Sequence, residues 1–115
     1  MVDDSKPFRI RLASLLRRTF ASIDIATCGT PEAGMNMVVS SPHDTPIHMV
    51  IVDQVFMGTD TTGKEMCEDL TIRAVSEELV YPPCVLISGS VELSREEKKS
   101  SVSSTIVECC RKRDI

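Results

Sequence analysis

Several features that would each have pointed to a class of function are missing from this 115-residue sequence. No apolar run approaches the ~20 residues that cross a bilayer, and no charged-then-apolar leader opens the chain. The expectation is therefore a soluble domain of the cell interior, cytoplasmic, with the nucleus also compatible. The five cysteines, Cys28, Cys67, Cys84, Cys109 and Cys110, contain no Cys-x-x-Cys pair. Neither His43 nor His48 stands at ligand spacing from a second candidate. This pattern argues against a zinc site and reads as reduced thiols. Positive charge is not in surplus either: 13 basic against 17 acidic residues give a formal net charge of -4. That leaves no general attraction for nucleic acid or an anionic membrane surface. Repeats, heptads and low-complexity linkers are absent as well. One domain with one core, spanning residues 1–115, is the simplest organisation.

What the sequence does contain is an apolar, largely β-branched run, His48-Met49-Val50-Ile51-Val52, that stops on Asp53. A second run, Cys84-Val85-Leu86-Ile87, stops on Ser88 after the helix-blocking pair Pro82-Pro83. Neither alternates with polar residues, as expected for strands covered on both faces. Ser22 to Cys28 does alternate and predicts an edge strand, and Thr105 to Cys110 reads as a last strand, with a helix as the alternative. Between them lie helical patterns. Phe8, Leu12, Leu15, Leu16 and Phe20 form one stripe of a helix from about Pro7 to Phe20. Thr30-Pro31-Glu32 caps a second, with Ala33, Met37 and Val38 inward. Lys64 to Val75 forms a third, with Met66, Leu70 and Val75 inward, and Ser94-Arg95-Glu96-Glu97 opens a short fourth. Strands alternating with helices give an α/β class with a parallel sheet.

In such a sheet, chemistry gathers at the carboxyl ends of the strands. The right-handed crossover rule puts Asp53, Ser88 and the pair Asp3-Asp4 on one edge, provided Met1-Val2 ends a strand. Carboxylates converging there repel one another, which favours a raised pKa or a bound hard cation. Magnesium suits an all-oxygen site that works beside phosphate. A hydroxyl such as Ser88 and a nearby ammonium would neutralise the remaining oxygens of a transferred phosphoryl group.

Taken in order, Val2-Asp3-Asp4-Ser5-Lys6 with Arg9, Val50-Ile51-Val52-Asp53, Gly63 and Val85-Leu86-Ile87-Ser88-Gly89 resemble the receiver domains of two-component response regulators, the CheY-like family. The resemblance covers almost the whole chain. It implies a three-layer α/β/α sandwich with strand order 2-1-3-4-5. It also implies that Asp53 is a phosphoacceptor, served by a histidine kinase or a histidine-containing phosphotransfer protein. Asp3, Asp4 and Asp53 would hold Mg2+ with the Val55 carbonyl, Ser88 would bond a phosphoryl oxygen, and Lys112 would be the family's lysine. The domain would bind neither nucleic acid nor membrane, and Leu12, Leu15 and the arginines of the first helix would be candidates for the partner surface.

The sequence departs from the family pattern in three places. Phe56-Met57-Gly58 follows the acceptor instead of Met-Pro, Arg113 follows Lys112 instead of proline, and Cys109 stands three residues before Lys112 where the family has an aromatic. These departures support an alternative, a pseudo-receiver that acts as an unphosphorylated interaction module. A phosphatase-type hydrolase forming an aspartyl-phosphate is disfavoured, because Gln54-Val55 replaces its Asp-x-Asp pattern. A first strand of only Met1-Val2 and the absence of a fifth helix lead to the expectation of a domain incomplete at both ends.

Overall fold

The computed structural model describes residues 1–41, 46–77, 82–88 and 106–112. The elements in chain order are α1 (Lys6–Thr19), α2 (Pro31–Val39), β1 (Val50–Asp53), α3 (Gly63–Glu77), β2 (Cys84–Ser88) and β3 (Ile106–Arg111). The expected helix at Ser94 and the features at His43, Gly89, Thr105 and Arg113 lie outside the described residues. No helix among the described residues is long and apolar enough to cross a membrane.

The three strands form a parallel sheet in the order β1-β2-β3. Val2 extends that order through isolated parallel bridges to Val52 on one side and Cys28 on the other. Four backbone hydrogen bonds carry the extension: Val2 N to Ile51 O, Asp53 N to Val2 O, Asp3 N to Cys28 O and Cys28 N to Met1 O. Counting the Val2 and Cys28 segments as first and second strands, the spatial order is 2-1-3-4-5. The fold is α/β with CheY-like topology.

The segment Ser22–Cys28 keeps its alternation, with Ile23 and Ile25 half-buried between exposed residues, but it is not the strand expected, since only Cys28 makes a bridge among the described residues. A strand exists through its pairing, and Met1–Asp3 is the only backbone beside this segment that pairs with it among the described residues. Residues 22–26 and 46–51 instead line a cleft of about 950 Å³ at the amino end of the sheet.

Side chains leave β1 and β2 with a period of two. Val50, Val52, Cys84 and Leu86 join Val38 of α2 and Met66, Cys67 and Leu70 of α3 in one core. Ile51, Val85 and Ile87 face the other way, toward Phe8 and Leu12 of α1. This two-sided cover explains why both runs are apolar without alternation. The Cβ of any residue replacing Gly34 would stand 2.6 Å from Val2 Cγ2 and 3.0 Å from Met66 Cε, so the absence of a side chain lets α2 rest on Val2.

The helix starts follow the capping signals. Ser5 Oγ accepts from Phe8 N, with Pro7 in the first turn of α1, and Thr30 Oγ1 accepts from Ala33 N ahead of Pro31 in α2. The stripes are narrower than the periodicity predicts. Leu15, Phe20 and Val75 are exposed, and Gly34 is buried while Ala33 and Met37 are only half-buried. Helical spacing marks a face but does not show how far the neighbouring layer reaches. Leu12 is core, which removes it from the partner surface, whereas Leu15 remains accessible.

Candidate functional site

The site lies at the carboxyl edge of the sheet and starts from backbone geometry. Asp3 ends the bridged Val2 segment, and its Oδ1 accepts the Ser5 N–H at 2.8 Å, so the carboxylate is fixed by the turn that starts α1. The Arg9 guanidinium returns from the next turn and donates to the Asp3 carbonyl. Asp53 ends β1, and its Oδ1 accepts from Gln54 N at 2.9 Å. That same N–H also reaches Ile87 O at 2.9 Å, which pins the chain after Asp53 to β2.

Gln54 also anchors α3, a role its sequence position did not announce. Its carbonyl accepts from Gly63 N at 3.0 Å and its side-chain Oε1 from Lys64 N at 3.0 Å, satisfying two of the free donors at the helix start. Gly63 is required by proximity. A Cβ there would lie 2.0 Å from the Asp53 carbonyl oxygen, so any side chain would push α3 and the end of β1 apart.

One carboxylate oxygen from each of Asp3, Asp4 and Asp53 falls within 4.8 Å of the others. Asp3 is fully buried and Asp53 nearly so, at 0% and 5% exposure. Asp4 is half-buried, and its Oδ2 accepts from Met57 N at 2.8 Å, drawing the loop after β1 across the cluster. Val55 lies in that loop and is 63% exposed.

Lys112 follows β3 directly and reaches across the sheet edge. Its ammonium stands 2.8 Å from Asp3 Oδ2 and 3.0 Å from Asp53 Oδ2. It donates a hydrogen bond to Asp53, while Asp3 Oδ2 stays buried without a well-directed one. The ammonium also lies 4.5 Å from the centroid of the Phe8 ring. Ser88 is buried at the end of β2, one residue past Ile87, the partner of Asp53 in the ladder.

Among the described residues the charges do not balance: three carboxylates gather here, and the Lys112 ammonium pairs with two of them. Burial pushes the Asp53 carboxyl above its ordinary range. The Lys112 hydrogen bond opposes that shift and the Asp3 charge adds to it. For Lys112, burial works to lower the pKa, but the hydrogen-bonding and charge of Asp3 and Asp53 outweigh it and the net direction is up. The residues suit a magnesium ion: all are hard oxygen donors, they carry excess negative charge, and one buried oxygen lacks a directed hydrogen bond. The structure thus brings together Asp3, Asp4, Asp53 and Lys112 and sets Ser88 and Val55 on the same edge. Sequence reasoning missed Gln54 and Phe8, the first because it caps a helix that starts nine residues later, across a loop, and the second because it counted only as part of a helix stripe.

No protein-family model matches the chain, and no curated protein sequence matches it. Solved structures do. The receiver domain of the histidine kinase CKI1 from Arabidopsis thaliana, complexed with Mg2+, superposes with a TM-score of 0.74 at 18% identity, covering 97% of this chain and 80% of that one. The same receiver domain complexed with Mg2+ and BeF3- gives 0.67 at 18% identity, covering 86% of this chain and 70% of that one. At such identities the likeness is one of fold, and the chain has the fold of a receiver domain.

Proposed function

We propose that this domain accepts a phosphoryl group on Asp53 from a phosphohistidine of a partner protein and serves as a switch in a histidine-to-aspartate phosphorelay. The observation that carries the reading is the constellation at one strand end: Asp53 held by Lys112 at 3.0 Å, with oxygens of Asp3 and Asp4 within 4.8 Å. A structural ion pair needs one acid for one base, and the two further carboxylates here are a cost unless a cation meets them.

In the proposed step a carboxylate oxygen of Asp53 forms a bond to phosphorus as the N–P bond of the phosphohistidine breaks. The bonding pair stays on the ring nitrogen, and the ring leaves as neutral imidazole, its other nitrogen carrying the proton. Asp3, Asp4, Asp53 and the Val55 carbonyl would hold Mg2+, which when bound supplies positive charge to the phosphoryl oxygens. Lys112, 3.0 Å from Asp53 Oδ2, supplies a further positive charge beside the acceptor. The Gln54 N–H restrains the Asp53 carboxylate, leaving the attacking oxygen little freedom to lose. The Ser88 hydroxyl would donate a hydrogen bond to an oxygen of the new phosphoryl group and so report its arrival through the end of β2. The product is a state of the protein, not a released molecule, so the domain is a signalling module and not a turnover enzyme.

The test is beryllofluoride with Mg2+, which mimics the phosphoryl group without a kinase. Bound fluoride resonances and a rise in Tm are expected for the native chain, with both lost in Asp53→Ala. A folded native chain that gives neither overturns the reading and leaves an interaction module that is not phosphorylated.

A further inference from the structure

Phe8 was legible only as a member of an apolar stripe, and most of its surroundings agree with that: it is 7% exposed and packs with Leu12 and Ile87. Two contacts do not belong to a core. The Lys112 ammonium lies 4.5 Å from the ring centroid, and the Arg11 guanidinium carbon lies 5.3 Å from it. A ring face carries negative potential and attracts a cation within about 6 Å, most strongly where water is excluded. Arg11 is on the exposed rim, but the Lys112 side chain is only 19% exposed and its charge is spent inside the site.

The local geometry makes this placement reproducible. Ser5 caps α1 and accepts the Phe8 backbone N–H, while the Ser5 N–H itself donates to Asp3. The ring and the Asp3 carboxylate are therefore positioned by one and the same turn. Lys112 arrives from the far side of the sheet, at the end of β3, on a long flexible stem. Its four-carbon chain has many rotamers, and two carboxylates alone attract it without fixing the direction of its approach.

We propose that Phe8 is a positioning residue for Lys112, its ring holding the ammonium between Asp3 and Asp53 where the incoming phosphoryl group must pass. The inference rests on the phosphoacceptor reading and assigns a function to a residue that reading does not use. Removing the ring face leaves the charge of Lys112 intact but widens its distribution of positions. Phosphorylation of Asp53 then slows while the fold persists.

The experiment replaces Phe8 with phenylalanines carrying one, two and three ring fluorines, which keep the shape but progressively cancel the negative face. It adds Phe8→Leu as the endpoint. Two quantities are read: the rate of Asp53 phosphorylation by acetyl phosphate with Mg2+, and the ring-current shift of the Lys112 ε-methylene protons in the unphosphorylated protein. A graded fall in rate with fluorine number is expected, reaching roughly five-fold in Phe8→Leu, with the ε-methylene shift present in the native chain and lost in Phe8→Leu. A rate that stays flat across the fluorinated series while the fold is kept overturns the proposal, since a purely packing role does not respond to ring charge. If the native chain takes no phosphoryl group, the phosphoacceptor reading has failed and the positioning role fails with it. The ε-methylene shift still reads the contact separately, so that failure is distinguishable from a missing Phe8–Lys112 contact.

Discussion

The two ends of the sheet are built differently. At the carboxyl end, the Val2 segment, β1, β2, α1, α3 and Lys112 are tied to one another by backbone and side-chain bonds that meet at Asp3 and Asp53. At the amino end, residues 22–26 and 46–51 enclose a cleft of about 950 Å³, and Met49, Ile23 and Ile25 keep part of their surface exposed. The acid cluster sits where the ties are dense. A site of three acids and one base needs its groups held against their own repulsion, and the dense end supplies the restraint.

This contrast can be tested by substitution at each end. The largest effects belong under the site. Leu70→Ala, at a fully buried position beneath β1 and β2, is expected to lower the unfolding free energy by about 3 kcal/mol in urea melts. A comparable loss is expected for Lys112→Met, about 3 kcal/mol, because it strands two buried carboxylates. Unlike Leu70→Ala, that variant should recover stability on addition of Mg2+, so the two are separated by repeating the melts with the metal. Gly63→Ala forces the Asp53 carbonyl away from α3, and beryllofluoride binding should weaken at least ten-fold in fluorine NMR titrations.

Smaller effects concern charge. In magnesium-free buffer Asp53→Asn should raise Tm at neutral pH. The sign follows from linkage. The folded carboxyl holds its proton more tightly than the unfolded one, whose ordinary value is 3.8, so its contribution is present below that value and lost as pH rises through the elevated folded value. The gain in Asp53→Asn should therefore disappear in melts below pH 3.8. Lys112 acts at the other extreme. Its folded pKa is raised above 10.5, so the stability it contributes is present below 10.5 and falls as pH climbs through the raised value, a loss that Lys112→Met should not show. The smallest effect is expected at the amino end, where Ile25→Ala beside the cleft should change stability by roughly 0.5 kcal/mol or less. A large loss there would break the comparison.

Much of the carboxyl end was legible because it depends on local chemistry. Asp53 and Ser88 stop apolar runs, Ser5 and Pro7 announce a helix start, and Cys84 to Ser88 matches β2 residue for residue. Lys112 entered through resemblance alone, and the structure sets it between Asp3 and Asp53. What stayed hidden depends on neighbours. Ser22 to Cys28 alternates like a strand but forms a bridge at one residue, Cys28, among the described residues. Val75 has helical spacing but is 76% exposed on α3. Gln54 caps α3 from a position that reads as ordinary loop, and Gly34 owes its place to Val2, distant in sequence. The departures at Phe56-Met57-Gly58 show the same division. Phe56 is buried in the core and Met57 is 85% exposed, yet the Met57 N–H bonds Asp4, so the unfamiliar sequence still closes the loop over the acids.

The central claim is that Asp53 is the phosphoacceptor, and covalent trapping tests it most directly. The chain is incubated with phosphoramidate, whose P–N bond mimics phosphohistidine, and with Mg2+, then reduced with borohydride, which converts an acyl phosphate to an alcohol. Peptide mass spectrometry should find the reduced residue at position 53, with none after omission of Mg2+ or in Asp53→Ala. An unmodified Asp53 in folded protein, or trapping at another carboxylate, would contradict the account.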